Sequence, residues 1–341
     1  MKRPTRRYIP GTQYIGKWKN TNIPVFDILS HDGLNQIIGY TKHLNNDEMV
    51  LYRGQSKLYE TLLPSIRRDS AHEAEKRKKL KEVLDGIYSD KRLNKSMSWN
   101  DEINGWKLFI ETTYEAALQH YGVETDCIDF VDNHWTALWF ALHEYDKENN
   151  RYIRRKGLAK GDNMEYIDEN PLYRYDLSQL GNVKTKQQEI SDKEKKKAVE
   201  SEKKAYTARN KKAQAYIFLY LAETAVPEVC GLYLGKERYT VDLRKVLPGM
   251  FIRPMAQHGW VVKAKDVNYD YKEHLLCVLR IAVDLADEFL GKGSLLSEEN
   301  FFPKPIDDNG LHLLLTRQDG SPYQKNKLPS LLPEGYIRCD K

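Results

Sequence analysis

Residues 48–57 read EMVLYRGQSK, and they place a charged group where an apolar strand meets a turn. Val50, Leu51 and Tyr52 are typical of a short, half-buried strand. Arg53 follows at a position where the side chain is expected to be buried. A buried guanidinium needs an acidic partner or a ligand, because it does not lose its proton. Gly54 permits a positive φ or the close approach of another backbone. The stretch therefore predicts a strand that ends in a structural ion pair or in a binding site.

The composition indicates a globular protein with a polar bias. The chain has 341 residues, of which 40% are apolar and 30% are charged, enough for one large or two ordinary domains. No apolar run has the length of a membrane helix, and the first residues lack the apolar stretch of a signal peptide, so we expect a cytoplasmic location without membrane contact. The four cysteines are widely spaced without a CxxC pair, which argues against a disulfide framework or a zinc knuckle.

The formal charge of +5 comes from one segment. Residues 183–212 hold 11 Lys and Arg against 5 Asp and Glu, a net of +6, so the rest of the chain is near −1. The segment is rich in helix formers and has almost no large apolar residues. It predicts a solvated helix or an insertion, with a contact to RNA, DNA or an acidic protein as the alternative.

Apolar residues at three- and four-residue steps predict helices in the first half of the chain. Residues 32–44 have this spacing, and residues 99–121 have it most clearly, with Gly122 as the stop. Asn133 is a suitable N-cap for a further helix, whose apolar residues cover most of its circumference. The expected core residues of that helix are Trp135, Trp139 and Phe140.

Strand patterns follow from residue 213 onward. The runs AQAYIFLYLA, EVCGLYLG, GWVVKAK and HLLCVLRIAVD are rich in β-branched, aromatic and aliphatic residues and are separated by turn residues. With the early strand and the central helices, they predict an α+β fold, in which a mixed or antiparallel sheet packs on a buried helical layer. We expect a basic and aromatic arm at 1–21, one domain at 22–315 with a charged helical insertion at about 146–212, and a tail at 316–341.

Four segments carry polar residues at positions that packing alone does not select. They are LYRGQ at 51–55, QHYGVETDCIDF at 119–130, IRPMAQHGW at 252–260 and FFPKP at 301–305. In order and approximate spacing they resemble the FRG domain family, with its F/Y-R-G, Q-H-Y-G-x-x-T-x-x-x-D and R-x-x-A-Q-x-G motifs. The resemblance covers roughly residues 22–315 apart from the insertion. The matching positions are Arg53, Gly54, Gln55, Gln119, His120, Tyr121, Gly122, Thr125, Asp129, Arg253, Gln257 and Gly259.

The motif residues have the chemistry of an anion-binding cleft. Arg53 and Arg253 present planar donors that suit phosphate, and His120 can donate to a phosphate or carry a proton. Tyr52 and Tyr121 offer aromatic faces for a base or a nicotinamide ring. A dinucleotide fits such a set, and NAD is the expected substrate. The candidate catalytic residues are Arg53, His120, Asp129 and Gln257, and the candidate cofactor-binding residues are Tyr52, Arg53, Gly54, Gln55, Tyr121, Thr125 and Arg253.

A second resemblance connects LYRG to the mono-ADP-ribosyltransferases, which carry an arginine in a similar context on their first core strand. It implies cleavage of the nicotinamide glycosidic bond through an oxocarbenium-like state, and with the FRG resemblance it implies a bacterial toxin or a phage-defence effector with a protein or nucleic-acid acceptor. The glutamate that such enzymes use has no counterpart in the motifs. Glu124 and Glu144 are expected in the middle helices instead.

Other interpretations remain open from the sequence. Arg53 and Asp129 can form a buried structural pair. The spacing of Asp126, Asp129 and Asp132 is compatible with magnesium, but aspartates near a helix start are more often caps, so no metal site is expected. The protein can also be a non-catalytic module that binds nucleic acid or protein through the lysine-rich segment.

Overall fold

The strands of the protein come from both ends of the chain and meet in one sheet. The computed structural model describes residues 1–4, 9–90, 92–93, 106–146, 151–155, 166–169, 192–304 and 306–315. Eleven of the described strands form this sheet, and a separate pair lies beside it. The strands are β1 Thr12–Trp18, β2 Pro24–Ile28, β3 Met49–Gln55, β4 Cys127–Val131, β5 His143–Asp146, β6 Arg151–Arg154, β7 Ile167–Glu169, β8 Gln214–Ala222, β9 Glu228–Val229, β10 Leu232–Leu234, β11 Arg238–Asp242, β12 Gly259–Ala264 and β13 Leu275–Ala282.

The strand order of the large sheet is β7-β1-β2-β13-β8-β3-β4-β12-β11-β10-β9. β2 and β13 run parallel to each other, whereas the other described neighbours are antiparallel. β8 is central and is buried along its whole length, which explains its continuous apolar sequence. The predicted α+β class with a mixed sheet is therefore confirmed.

Helices lie against the sheet and complete its core. They are α1 His31–Leu44, α2 Glu73–Ser89, α3 Trp106–His120, α4 His134–Leu142, α5 Asp192–Asn210, α6 Leu243–Val246, α7 Ile252–Ala256, α8 Val283–Phe289, α9 Glu298–Phe301 and α10 Asn309–Leu315. α1, α4 and α8 cover one face, whereas aromatic residues of β1, β8 and β12 fill the other face. A third cluster joins α2 and α3 to β11 and β12. None of the described helices has the length and apolarity that a membrane span needs.

The helices that the sequence predicts are present where the structure describes them. Asn133 caps α4 by accepting a hydrogen bond from the main-chain nitrogen of Trp135. α3 ends at His120, and Gly122 follows with a φ of 93°, as a helix stop requires. Residues 99–105, the first part of the long predicted helix, lie outside the described residues.

The structure corrects several boundaries. Residues 12–18 form β1 instead of an arm, because Ile15 and Trp18 bury their side chains against the sheet. The helix after Asn133 ends at Leu142, and residues 143–146, including Glu144, form β5. β2, β4 and β11 were not expected as strands. The expected tail at 316–341 lies outside the part of the chain that the structure describes.

The lysine-rich segment is helical where it is described. α5 exposes most of its described side chains, including Lys203 and Lys204. Tyr206 is buried in the sheet core, and Arg209 donates a hydrogen bond to the side chain of Gln13. This helix is therefore solvated along most of its described surface and docked on the sheet near its C-terminal end.

Candidate functional site

The neighbouring central strands β3 and β4 diverge after one paired position, and the gap between them leaves room for a cavity. β3 pairs with β8 from Met49 to Gln55, but it meets β4 at one register position, Tyr52 with Val131. We call the open region beyond this pair the fork; residues 53–55 of β3 and 127–130 of β4 form it. Arg53 spans the fork, because its Nη1 donates to the main-chain oxygen of Asp129 at 2.7 Å. The side chain thus supplies a cross-strand hydrogen bond where the ladder stops.

A cavity of about 630 Å³ lies at the fork. This volume is in the range that holds a small-molecule ligand. Three groups of side chains line it: residues 52–59 with Arg68, residues of α3 and β4, and residues from α4, β5, β6, α7 and position 302. The lining includes Tyr52, Arg53, Gly54, Gln55, Lys57, Tyr59, Arg68, Gln119, His120, Asp129, Phe140, His143, Glu144, Tyr145, Tyr152, Arg253, Gln257 and Phe302.

Arg53 does not form the structural ion pair that was one interpretation of its position. It contacts the main chain of Asp129, and within the described residues no carboxylate oxygen lies within ion-pair distance of it. Its Nε is buried and has no hydrogen-bond partner in that same set. Burial, with a contribution from Arg68, lowers the pKa of Arg53 to about 10, so the group stays charged at neutral pH. A buried donor without a partner favours a ligand.

Gly54 is needed for close packing. A Cβ at this position would overlap the main-chain oxygen of Ala137 in α4. The strand can therefore approach the helix only where a side chain is missing. Of the two roles that the sequence allowed for Gly54, close backbone approach is the observed one, and it fixes Arg53 relative to α4.

The second motif forms one hydrogen-bond network. Gln119 donates to Oδ2 of Asp129 through its side-chain nitrogen, and its side-chain oxygen accepts from the hydroxyl of Thr125 at 2.6 Å. The Thr125 hydroxyl also accepts from the main-chain nitrogen of Cys127 at 3.1 Å. His120 lies on the other side of the carboxylate, with Nδ1 at 3.5 Å from Oδ1 of Asp129. Gln119 therefore orients Asp129 between the end of α3 and β4.

The network keeps Asp129 ionised. Burial alone raises the pKa of this carboxyl, but the hydrogen bonds from His120 and Gln119 and the charge of Arg53 together hold it below its ordinary value. The Asp129 side chain is about 33% exposed and lines the cavity, although its Oδ1 is buried. Nε2 of His120 is also buried, close to Gly259.

The third motif closes the back of the cavity. The guanidinium of Arg253 lies between two rings, 4.8 Å from the centroid of Tyr121 and 5.1 Å from that of Phe302. Its Nη1 donates to the main-chain oxygen of His120 at 3.3 Å. The hydroxyl of Tyr121 donates to Asp308 at 2.7 Å. Arg253 is 2% exposed, so most of it supports the wall of the cavity.

Gln257 and its neighbours fix the turn after α7. Gln257 is buried and donates to the main-chain oxygen of Phe301 at 2.7 Å, which joins the third motif to the FFPKP segment. His258 has a φ of 55°, and its Nδ1 lies 3.2 Å from Asp132. A Cβ at Gly259 would come within 2.7 Å of Cε1 of His120. The glycine therefore makes room for the histidine ring.

Several cavity residues were missed by sequence reasoning. Lys57 and Arg68 add positive charge beside Arg53, and they lie outside any motif. Glu144 is exposed and forms an ion pair with Arg155 at 3.3 Å. Phe140, Tyr145, Tyr152 and Phe302 add aromatic rings from α4, β5, β6 and the segment after α9. Of these, Phe302 was near a sequence signal through FFPKP, and Phe140 was expected in the core but is half-buried at the cavity.

The structure brings most of the sequence candidates together. Eight of the ten line the cavity or its back, whereas Tyr121 and Thr125 lie behind the lining. The assigned roles of all ten stay predictions. Within the described residues, no group of three or more His, Cys, Asp or Glu is arranged to hold a metal ion. The lining candidates are Tyr52, Arg53, Gly54, Gln55, His120, Asp129, Arg253 and Gln257.

Comparison with known proteins gives one match. Residues 48–150 match the family model of the FRG domain. This range contains β3, α3, β4 and α4, and so both strands of the fork. It ends before Arg253 and Gln257. No curated protein and no solved structure matches the chain.

Proposed function

We propose that the cavity at the fork binds a phosphate-bearing nucleotide and that this ligand is NAD, and the match of residues 48–150 to the FRG domain supports a shared site there. The proposed reaction is cleavage of the bond between nicotinamide and ribose, as in ADP-ribosyltransferases. The biological setting that we propose is a bacterial toxin or a phage-defence effector, with a protein or a nucleic acid as acceptor.

The observation that carries the proposal is the set of cations at the fork. Arg53, Lys57 and Arg68 line the same cavity, and among the described residues no carboxylate oxygen lies within ion-pair distance of any of them. Arg53 in addition holds a buried Nε without a partner. Like charges at close range are unfavourable unless an anion separates them. A pyrophosphate supplies that anion, and a guanidinium binds it through two parallel donors.

The charge of Asp129 suits the proposed reaction. As the glycosidic bond breaks, its electron pair moves to the nicotinamide nitrogen, and positive charge develops on the ribose. An ionised carboxylate near that carbon stabilises the charge. Water or an acceptor hydroxyl then bonds to the same carbon and releases one proton. In this scheme Asp129 acts on the ribose side, and the glutamate that was sought among the motifs is not required.

The test is release of nicotinamide from NAD by the purified protein. We expect release by the wild type and a loss of at least about a hundredfold in Arg53→Ala, because one charge-assisted phosphate clamp is removed. Arg53→Lys keeps the charge but not the planar fork, and it should retain intermediate activity. Arg244→Ala is the matched control, because Arg244 pairs with Asp132 and Asp242 away from the lining.

The folded state must be followed in the same variants. Arg53→Ala removes one hydrogen bond across the fork, which should cost about 1–2 kcal/mol of unfolding free energy. Loss of release in a protein that still unfolds cooperatively supports the proposal. No release by the wild type, together with no thermal shift on addition of NAD, contradicts it.

A second candidate is a binding module that uses α5. The exposed, lysine-rich surface of this helix favours it, because a basic surface attracts an acidic partner such as a nucleic acid or an antitoxin. Substitution of Lys197 and Lys204, both exposed, by Glu separates the two functions. Weaker binding to single-stranded RNA or DNA, with a steep dependence on salt in the wild type, supports the module. Unchanged binding removes this candidate.

A further inference from the structure

We propose that Phe140, Tyr145, Tyr152 and Phe302, which we call the ring cluster, form a subsite for the aromatic ring of the ligand. The phosphate of the same ligand then lies at Arg53, Lys57 and Arg68. The inference rests on the proposed function in one respect, namely that the ligand carries both a phosphate and a ring.

The four rings are packed as one surface. Tyr152 stacks on Phe302 with centroids 4.7 Å apart and planes at 20°. Tyr145 lies 5.3 Å from Tyr152. Phe140 lies 6.2 Å from both Tyr152 and Phe302, in edge-to-face geometry. Such contacts fix the rings relative to one another.

The ring cluster has a rigid support behind it. Trp139 and Phe301 are 1% and 2% exposed, and their centroids are 4.8 Å apart. β6 is held in place by a hydrogen bond from the main chain of Tyr152 to Glu298 at 2.9 Å and by the ion pair of Arg154 with Asp287 at 3.2 Å. A preorganised apolar surface loses little conformational entropy when a ligand binds.

The four rings are half-buried. Each of them lines the cavity, and each keeps part of its surface accessible there. Apolar surface beside charged groups in a concave site is typical of a site that binds an amphipathic ligand. A nucleotide has the complementary pair of features, a flat ring and a phosphate.

The tyrosines that the sequence suggested for this role are less suited to it. Tyr52 and Tyr121 are both 0% exposed. Tyr121 packs under Arg253, and Tyr52 lies edge-on to His134. Neither leaves a ring face for a ligand. Tyr59 is different, since it is 51% exposed and lines the cavity beside the cations.

The test compares ligands with and without a ring by titration calorimetry. AMP and nicotinamide mononucleotide carry a ring and a phosphate, whereas ribose 5-phosphate carries the phosphate alone. We expect the wild type to bind at least one of the two nucleotides about tenfold or more tightly than ribose 5-phosphate, the usual effect of one stacked ring. Equal binding of the three compounds overturns the inference.

Variants locate the ring. Tyr145→Ala and, in a separate protein, Tyr152→Leu should weaken nucleotide binding about tenfold and leave ribose 5-phosphate within twofold. Two variants are used because Tyr152 also packs on Phe302. Tyr239→Ala is the matched control and should change neither ligand, because Tyr239 is a half-buried ring on β11 outside the lining. Tyr59→Ala tests the other exposed ring of the cavity. If Tyr59→Ala removes the nucleotide preference and the ring-cluster variants keep it, the subsite lies elsewhere and the inference is wrong.

The outcomes also separate the inference from the proposed reaction. Nucleotide binding that depends on the ring cluster, without nicotinamide release from NAD, supports the subsite and contradicts the reaction. Nicotinamide release without a ring-dependent affinity supports the reaction and contradicts the subsite. Absence of binding for all three compounds contradicts both the subsite and the phosphate site.

Discussion

At the scale of single residues, two arginines on the sheet show what decides whether a buried cation is structural. Arg280 on β13 is 1% exposed and forms two bonds to Asp27 on β2, at 2.5 and 2.8 Å. Within the described residues, Arg53 on β3 has the main-chain oxygen of Asp129 as its hydrogen-bond partner, and it faces a cavity. A paired cation has its charge compensated within the fold, whereas a cation without a carboxylate needs a mobile anion.

His274 gives a prediction for the pH dependence of stability. Arg238 can only donate, so Nε2 of His274, 2.7 Å from Nη1 of Arg238, accepts the bond and the imidazole is neutral. Burial, then the charge of Arg238, lowers the pKa of His274 to about 4, although Glu237 lies 3.7 Å away and opposes this shift. The folded pKa is below the unfolded value of about 6.5, so stability is complete above that pH and falls as the pH is lowered towards 4.

The variant His274→Gln should remove part of this dependence, because an amide oxygen accepts from Arg238 without titrating. The loss of unfolding free energy between pH 7 and pH 5 should be smaller in the variant, by up to about 2 kcal/mol. Urea unfolding at the two pH values measures it. Burial also lowers the pKa of His134 to about 4 and lowers that of His143, so both contribute a dependence that the variant keeps. Equal losses in wild type and variant would show that His274 does not titrate in this range.

The residues of the site could be predicted only in part. Arg53, Gln119 and Asp129 were found because polar side chains interrupt patterns that packing would fill with apolar ones. Lys57 and Tyr145 carry no such signal, since a surface lysine or tyrosine is common in any loop or strand. Their place in the cavity depends on how distant segments meet, which the local pattern does not contain.

At the scale of elements, the contact between β3 and α4 shows how a missing side chain sets the spacing of two elements. Gly54 lies against Ala137, and α4 also packs on β8 and β4. The helix therefore covers the place where the two strands separate. The sequence indicated α4 clearly, because Asn133 is a suitable N-cap and a continuous apolar run follows it. It did not indicate β4, because Asp129 interrupts a strand of five residues.

The variant Gly54→Ala should destabilise the protein by about 1–3 kcal/mol or more, because the added methyl group overlaps backbone that cannot move aside. Gly39→Ala on α1 is the control. A Cβ at Gly39 meets nothing within 4 Å, and alanine in a helix is better by about 0.5–1 kcal/mol. Chemical unfolding of both variants should thus give changes of opposite sign. A neutral effect of Gly54→Ala would mean that α4 can move away from β3.

At the scale of the whole molecule, the sheet joins residues that are far apart in the chain. β1 and β2 pair next to β13, and α5 docks across β1 through Tyr206 and Arg209. The class of the fold followed from the mixture of helical and strand patterns. The strand order did not, because parallel pairing of β2 with β13 connects residues about 250 positions apart, and no local preference encodes such a contact.

The docking of α5 can be measured directly. Tyr206→Ala should lower the unfolding free energy by about 3 kcal/mol, since Tyr206 is 3% exposed and belongs to the sheet core. Lys204→Glu, two residues away on an exposed position, should change it by less than about 0.5 kcal/mol. If both variants unfold like the wild type, α5 is not docked in solution.

The single register pair between β3 and β4 has a mechanical consequence. A sheet resists bending and shear where many ladder bonds connect its strands, and it is most compliant where few do. Among the described residues, the pair of Tyr52 with Val131 and the bond from Arg53 link the two strands there, so we expect the two halves of the sheet to tilt most easily at this joint. A molecule that spans the fork would stiffen this joint. On binding, hydrogen exchange of the backbone amides in β4 should therefore slow by a larger factor than exchange in the fully paired β8.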